Sequence, residues 1–85
     1  MHYVYVLTGP TQFYTGCTND LRRRLDEHSN DCSFSTRGKG PWKLEYYEAS
    51  ESPKDAFTRE KYLKTAWGKR YLKGRLKFGL NYLTG

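Results

Sequence analysis

Tyr3-Val4-Tyr5-Val6-Leu7, then Gly9-Pro10-Thr11-Gln12, then Phe13-Tyr14-Thr15-Gly16-Cys17-Thr18, is the stretch from which the fold is read. The first run is β-branched or large on both faces, which predicts a buried strand. The second supplies turn chemistry. The third predicts a strand that returns beside the first as a hairpin. Gly16 inside that strand predicts a bulge or a close backbone approach.

Working outward, Thr18 or Asn19 is placed to cap a helix running from about Asp20 to Ser29. Leu21, Leu25 and His28 share one face of it. Residues 30–40 are rich in Ser, Gly and Asn and end in a basic stretch with Arg37 and Lys39, which reads as a loop. Trp42 to Ala49 predicts a third strand, with Leu44, Tyr46 and Glu48 on one side and Glu45, Tyr47 and Ala49 on the other. Ser52-Pro53-Lys54-Asp55 is a helix start, with Ser as cap and Pro at the first helical position. That helix is expected to reach Trp67 and end at Gly68, with a last helix over about Lys69 to Phe78. The order β-β-α-β-α-α predicts an α+β fold: a small three-stranded antiparallel sheet flanked by helices, with residues 1–85 as a single domain.

A domain this short holds one small core, so a surface cleft is expected in place of a large cavity. The net charge is +6, from fifteen Lys and Arg against nine Asp and Glu. Between Arg59 and Lys77 stand eight basic residues and one acid, Glu60. Such a block attracts a polyanion: nucleic acid first, an anionic membrane surface as the competitor. The basic C-terminal helix lacks a broad apolar face with aromatic anchors, which argues against the membrane. Two cysteines without CxxC spacing disfavour a disulfide framework and suit a reducing cytoplasm. A zinc site from His2, Cys17, His28 and Cys32 lacks zinc-site spacing. No apolar run approaches a membrane span, and no secretory signal opens the chain.

Polar residues where apolar ones belong carry the functional reading. Ala56, Leu63 and Trp67 form a helical stripe, and Glu60 lies in the middle of it. A carboxylate facing the body of a domain must be paired or bound to a metal. An ion pair with an Arg is the structural reading, and a metal ligand the functional one. Arg24 and His28 are neighbours on one helix face. Taken singly, Arg24 reads as a stem-packed residue, His28 as a satisfied core histidine, and each hairpin Tyr as sheet packing.

Together, an acid, an Arg, hairpin tyrosines and a basic surface make a set able to cleave a phosphodiester. Glu60 would hold a divalent ion, since magnesium keeps most of its waters and often uses one or two carboxylates. Arg24 would neutralise transition-state charge as a permanent cation. A Tyr would take the proton of the attacking water, with a nearby cation to help it ionise. Lys69, Lys73 and Lys77, with Arg70 beside them, form a helical stripe suited to tracking phosphates or simply to facing solvent. Arg75 interrupts the apolar arc of Tyr71, Leu72 and Leu76.

These residues resemble the GIY-YIG endonuclease family. Tyr3-Val4-Tyr5 and Tyr14-Thr15-Gly16 stand where the two halves of its name motif would be. Thr18-Asn19-Asp20-Leu21-Arg22-Arg23-Arg24-Leu25 and His28 look like its post-motif helix. Ser35-Thr36-Arg37-Gly38, Pro41-Trp42-Lys43-Leu44 and Tyr46-Tyr47-Glu48 look like its short stand-alone bacterial branch, and Arg59-Glu60-Lys61 like its metal-binding helix. The resemblance implies a Mg²⁺- or Mn²⁺-dependent endonuclease acting on nucleic acid, DNA ahead of RNA, in a role such as DNA repair; a monomer is expected, with a weak dimer as the alternative. It implies that Tyr5 and Tyr14 flank the scissile phosphate, one of them as general base, with Tyr5 favoured. It gives Gly16 to close backbone approach, Arg24 to charge stabilisation, His28 to support of a tyrosine or the phosphate, and Glu60 to the metal. Arg37, Lys39, Lys69, Arg70, Lys73 and Lys77 are the expected nucleic-acid contacts. Tyr3 stands where the family name has Gly, and Asn81 is the one counterpart to a late Asn of many members. A non-catalytic nucleic-acid-binding module that keeps the fold is the alternative.

Overall fold

A computed structural model describes residues 1–30 and 36–80; Cys32, Ser35 and Asn81, named above, lie outside them. The elements are β1 (His2–Thr8), β2 (Phe13–Thr18), α1 (Leu21–Ser29), β3 (Lys43–Ser50), α2 (Pro53–Leu63) and α3 (Ala66–Arg75). This is the expected order. The sheet is antiparallel with strand order β2-β1-β3. Its middle strand is the run that is apolar on both faces, and Val4 to Thr8 are all buried.

Alternation along β1 divides the sheet. Val4 and Val6 join Ala56, Leu63, Leu72 and Leu80 in the core, with Phe13, Cys17, Tyr46 and Leu76 packed against it. Helix α2 therefore covers this face, with α3 packed against α2. Tyr5 points to the other face, where His28 of α1 meets it. β2 is an edge strand, so groups from both faces can meet around it.

Several boundaries differ from the expectation, each for a local reason. Asp20 caps α1 by accepting from the Arg23 amide at 3.1 Å, while the Thr18 hydroxyl accepts from the Asp20 amide at 3.1 Å. Ser52 and Pro53 hold their expected positions, but the Ser52 side chain makes no cap hydrogen bond. The long helix breaks before Trp67. The Thr65 hydroxyl donates to the Tyr62 carbonyl at 2.6 Å and accepts from the Gly68 amide at 3.1 Å. One side chain thus closes α2 and opens α3, the competition with helix ladders that Ser and Thr offer. Trp67 leaves the stripe and is 68% exposed. Gly68 is not a terminator: a Cβ there would collide with the Tyr62 carbonyl oxygen and the Leu63 Cα, so glycine lets α3 cross against the end of α2.

The register of β3 against β1 slips between Val6 and Leu7. Leu44 therefore sits opposite Leu7 and leaves the row of Tyr46 and Glu48. Arg75 also finds its reason, since its guanidinium lies over the Tyr46 ring at 5.8 Å.

Candidate active site

Gly16 lies opposite Tyr5 in the β1–β2 register. A Cβ there would stand 2.5 Å from the Tyr5 Cζ and hydroxyl oxygen and 2.9 Å from Tyr14 Cε2. The glycine is a close-approach residue, and its missing side chain is the space the Tyr5 phenol occupies. No register shift accompanies it between β1 and β2.

The Tyr5 hydroxyl lies 2.8 Å from His28 Nε2, and His28 Nδ1 lies 2.6 Å from the Thr36 hydroxyl. The Arg24 guanidinium acts on the same hydroxyl and works to lower its pKa. A guanidinium offers only donors, so the Tyr5 oxygen meets it as an acceptor and its own O–H is left for Nε2. Nδ1 then carries the imidazole hydrogen and donates it to Thr36. Tyr5, His28 and Thr36 are all essentially inaccessible to solvent. Burial holds His28 below the usual histidine range, with the charge of Arg24 acting the same way and Glu27 opposing. Burial also pushes Tyr5 up to about 12, against Arg24 and with help from Tyr14 and the Glu60 charge. A cation that helps Tyr5 ionise is in place in Arg24, and burial outweighs it.

Arg24 Nη1 donates to Glu27 Oε1 at 2.8 Å, which raises the guanidinium pKa further and keeps it a permanent cation. Tyr14 closes the cluster: its ring is 6.3 Å from that of Tyr5, 5.2 Å from His28 and 6.4 Å from Trp42. Trp42 in turn donates its indole N–H to the Thr36 carbonyl at 3.1 Å.

Glu60 comes from α2, which covers the opposite face of the sheet. Its charge acts on Tyr5, and it raises the Cys17 thiol as well, after burial. Its partner is Lys64, one turn on, with Nζ 3.1 Å from Glu60 Oε2. The same Nζ lies 5.9 Å from the centre of the Tyr14 ring. The ion pair with an Arg that was considered for Glu60 belongs to Glu48, which Arg59 grips at 2.9, 3.1 and 3.0 Å.

The structure thus gathers Tyr5, Tyr14, Gly16, Arg24, His28 and Glu60 around one edge of the sheet. It adds Thr36, Trp42 and Lys64, which sequence reasoning did not assign. Lys64 had a signal, the i, i+4 spacing from Glu60. Beside the cluster runs a groove of about 590 Å³, with Thr11, Gln12 and β2 residues on one wall and Lys64, Lys69 and Lys73 on the other. Of the expected basic contacts, Lys69 and Lys73 line it. Arg70 instead stacks on Trp67 at 4.9 Å, and Lys77 lies 5.5 Å from Phe78. Arg37 and Lys39 stand in the turn after Thr36, exposed beside a hollow lined by His28, Gly38 and Trp42.

Among the described residues no group of three or more His, Cys, Asp or Glu is gathered as a metal cage. Both His28 nitrogens are engaged within the cluster. Glu60 offers one half-buried carboxylate with a lysine as its ion partner, and a hard ion that keeps its waters requires no more. Among the described residues no helix is long and apolar enough to cross a membrane.

The model of the GIY-YIG catalytic domain matches residues 1–75. A UPF0213 protein of Clostridium perfringens is 46% identical over 66 residues, 75% of this chain and 71% of that protein. A UPF0213 protein of Limosilactobacillus reuteri is 36% identical over 86 residues, 96% and 90% of the two chains. The solution NMR structure of the UPF0213 protein BH0048 from Bacillus halodurans superposes with a TM-score of 0.56 at 35% identity, over 98% of this chain and 92% of that one. By the family match, the relatives and the shared architecture, this chain belongs to the GIY-YIG catalytic domain family.

Proposed function

We propose that this protein is an endonuclease that hydrolyses phosphodiester bonds of DNA with Mg²⁺ or Mn²⁺ held at Glu60. The observation that carries the reading is the Tyr5 hydroxyl, hydrogen-bonded to His28 at 2.8 Å and under the influence of Arg24 and Glu60. A phenol pushed up to about 12 holds no useful phenolate near neutrality. It can still relay a proton. As water attacks phosphorus, its proton passes to the Tyr5 oxygen while the Tyr5 hydrogen passes to Nε2 of neutral His28. The P–O bond to the leaving sugar oxygen breaks, and that oxygen takes a proton from solvent. Thr36 accepts from Nδ1–H and keeps the imidazole oriented for this exchange.

Tyr5 is covered in the free protein. Arg24, a third exposed, has five N–H donors and can turn some of them to an incoming phosphate while still held by Glu27. That movement uncovers the Tyr5 oxygen and brings the guanidinium to the charge that develops on phosphorus. A divalent ion at Glu60, when bound, supplies Lewis-acid stabilisation of the same charge.

The test is cleavage of a panel of single-stranded, duplex and branched substrates with Mg²⁺, Mn²⁺ or excess chelator. The expected result is metal-dependent cutting that Glu60→Ala removes without unfolding the protein. Wild-type cutting in chelator would overturn the metal assignment. Binding of every substrate with no product under any metal would leave only the non-catalytic binding module.

A further inference from the structure

Lys64 belongs to two places at once. Its ammonium pairs with Glu60 at 3.1 Å, and the same side chain lines the groove with Lys69 and Lys73. Among the described residues lining that groove none is acidic. Three ammonium groups on one wall repel each other, so in the free protein Lys64 is better placed against Glu60 than in the groove. Its side chain is 51% exposed and sits just past the end of α2, so the flexible stem can swing at little cost.

We propose that Lys64 is a positioning residue that serves two anions in turn. It neutralises the Glu60 carboxylate in the free protein. It then moves to a phosphate of the polynucleotide backbone lying in the Lys64–Lys69–Lys73 groove, and this leaves Glu60 open to the divalent ion. An ammonium and a metal compete for the open side of one carboxylate. A phosphate in the groove relieves that competition, because it draws the Lys64 ammonium away from the carboxylate. Nucleic acid and metal then bind more tightly together than apart, by the same factor in either order. The inference rests on the reading of Glu60 as the metal ligand.

The experiment is titration with Mn²⁺ in the absence of nucleic acid, read from the electron paramagnetic resonance signal of the free ion. Lys64→Gln is expected to bind Mn²⁺ about five- to tenfold more tightly than wild type, the effect of one partly solvated charge removed from contact. Lys64→Arg restores the cation and is expected to return the affinity to the wild-type value. Lys69→Gln removes an equal charge from the groove but not from Glu60, and is expected to change the affinity by less than about twofold. A second reading uses a Tyr5→Phe background, in which cutting is blocked. There, a saturating oligonucleotide is expected to tighten Mn²⁺ binding more with Lys64 present than with Gln in its place.

Unchanged Mn²⁺ affinity in Lys64→Gln, or equal tightening in Lys69→Gln, overturns the proposal and leaves the nuclease reading standing. Undiminished Mn²⁺ binding by Glu60→Gln overturns the metal assignment and this proposal with it.

Discussion

Two tyrosines on opposite faces of the sheet carry matching partners and do different things. Tyr5 has an Arg, a His and, through charge, a Glu. Tyr46 donates to Glu48 Oε2 at 2.8 Å, and Arg59 grips that same carboxylate while its guanidinium lies 5.5 Å and 4.8 Å from the Tyr62 and Tyr71 rings. Burial pushes both phenols up to about 12. In the Tyr46 set the carboxylate and the guanidinium satisfy each other. Burial works against Glu48, yet the Arg59 and Tyr46 hydrogen bonds prevail and hold its carboxyl below the usual range. That set is closed and holds β3 to α2. In the Tyr5 set the guanidinium and the carboxylate do not pair with each other: Arg24 takes Glu27, Glu60 takes Lys64, and the phenol lies against His28. The two sets differ in whether their acid and base take each other or separate partners.

The widest separation between the two sets is expected at their carboxylates. Glu60→Ala should lower the cleavage rate on the order of ten-thousandfold, the several kcal/mol a metal contributes to charge stabilisation, with thermal stability close to wild type. Glu48→Ala should do the reverse. It leaves Arg59 half-buried without its acid, at a cost of about 2 kcal/mol after allowance for solvent, and cleavage by the folded fraction continues. Rate assays beside thermal melts of both variants decide it, and a Glu48 variant that melts normally but fails to cut would merge the two sets.

The phenols come next. Tyr5→Phe should reduce kcat about a thousandfold, within the range of general acid–base catalysis, because the relay loses its middle atom. Tyr14→Phe keeps the ring contacts and should cost less than about tenfold. Tyr46→Phe removes one hydrogen bond, about 1 kcal/mol of stability, and leaves kcat unchanged. A Tyr14 variant slower than the Tyr5 variant would exchange their roles.

The pH dependence adds a further contrast: both sets hold a raised phenol, and the Tyr5 set also holds a histidine. In the proposed relay His28 would have to be neutral to accept the proton, and its folded pKa lies below the usual 6.5. Activity should therefore stay level as pH falls to about 6.5 and decline only below it. Stability follows the same window. Unfolded His28 takes up its proton first, so the native state loses stability as pH drops from 6.5 through the folded value. At the other end, phenols raised in the native state contribute stability that is complete below about 10 and lost as pH rises toward 12. Tyr5→Phe and Tyr46→Phe should each flatten that alkaline loss, while His28→Gln flattens only the acid one. Melting temperatures across pH 5 to about 11.5 give both limbs, and an acid limb untouched by His28→Gln would remove His28 from the account.

How far all this was legible in the sequence depends on the range of the interaction. The hairpin, the element order and the inward face of α1 rest on patterns within a few residues, and they appear as expected. Gly16 was marked by its place in a strand, and the structure supplies the object that needs the space. Thr65 was not marked, because a hydroxyl that ends one helix and starts the next is invisible to a count of apolar spacings. That one break removed Trp67 from the stripe and turned Gly68 from a terminator into a crossing residue. Glu60 was correctly placed on an inward arc, but its partner was sought among arginines. Which acid Arg59 takes depends on the β1–β3 register, and no local pattern contains that. Thr36 is held to His28 through a side-chain contact between residues well apart in sequence, and the identity of such a partner is a tertiary fact.

The smallest expected effect concerns the two flanks of α3. Lys69 and Lys73 face the groove, whereas Arg75 faces the Tyr46 ring. All three carry the same charge, so a uniform basic surface would make them equal in nucleic-acid binding. A groove that tracks phosphates makes them unequal. In chelator, where the proposed reaction would not proceed, the logarithm of the binding constant is expected to fall linearly with the logarithm of salt concentration. Each phosphate contact contributes about 0.9 to that slope on duplex and about 0.7 on a single strand. Lys69→Gln should reduce the slope by about one such contact and weaken binding a few-fold, and Lys73→Gln likewise. Arg75→Gln should leave the slope alone and cost stability instead, through the lost cation–π contact. The two slopes also report which form of nucleic acid the groove holds, since the loss per lysine is larger on a duplex. Equal slopes for all three variants would mean that the lysines act only through the net field of the helix, and the groove would lose its part in the comparison.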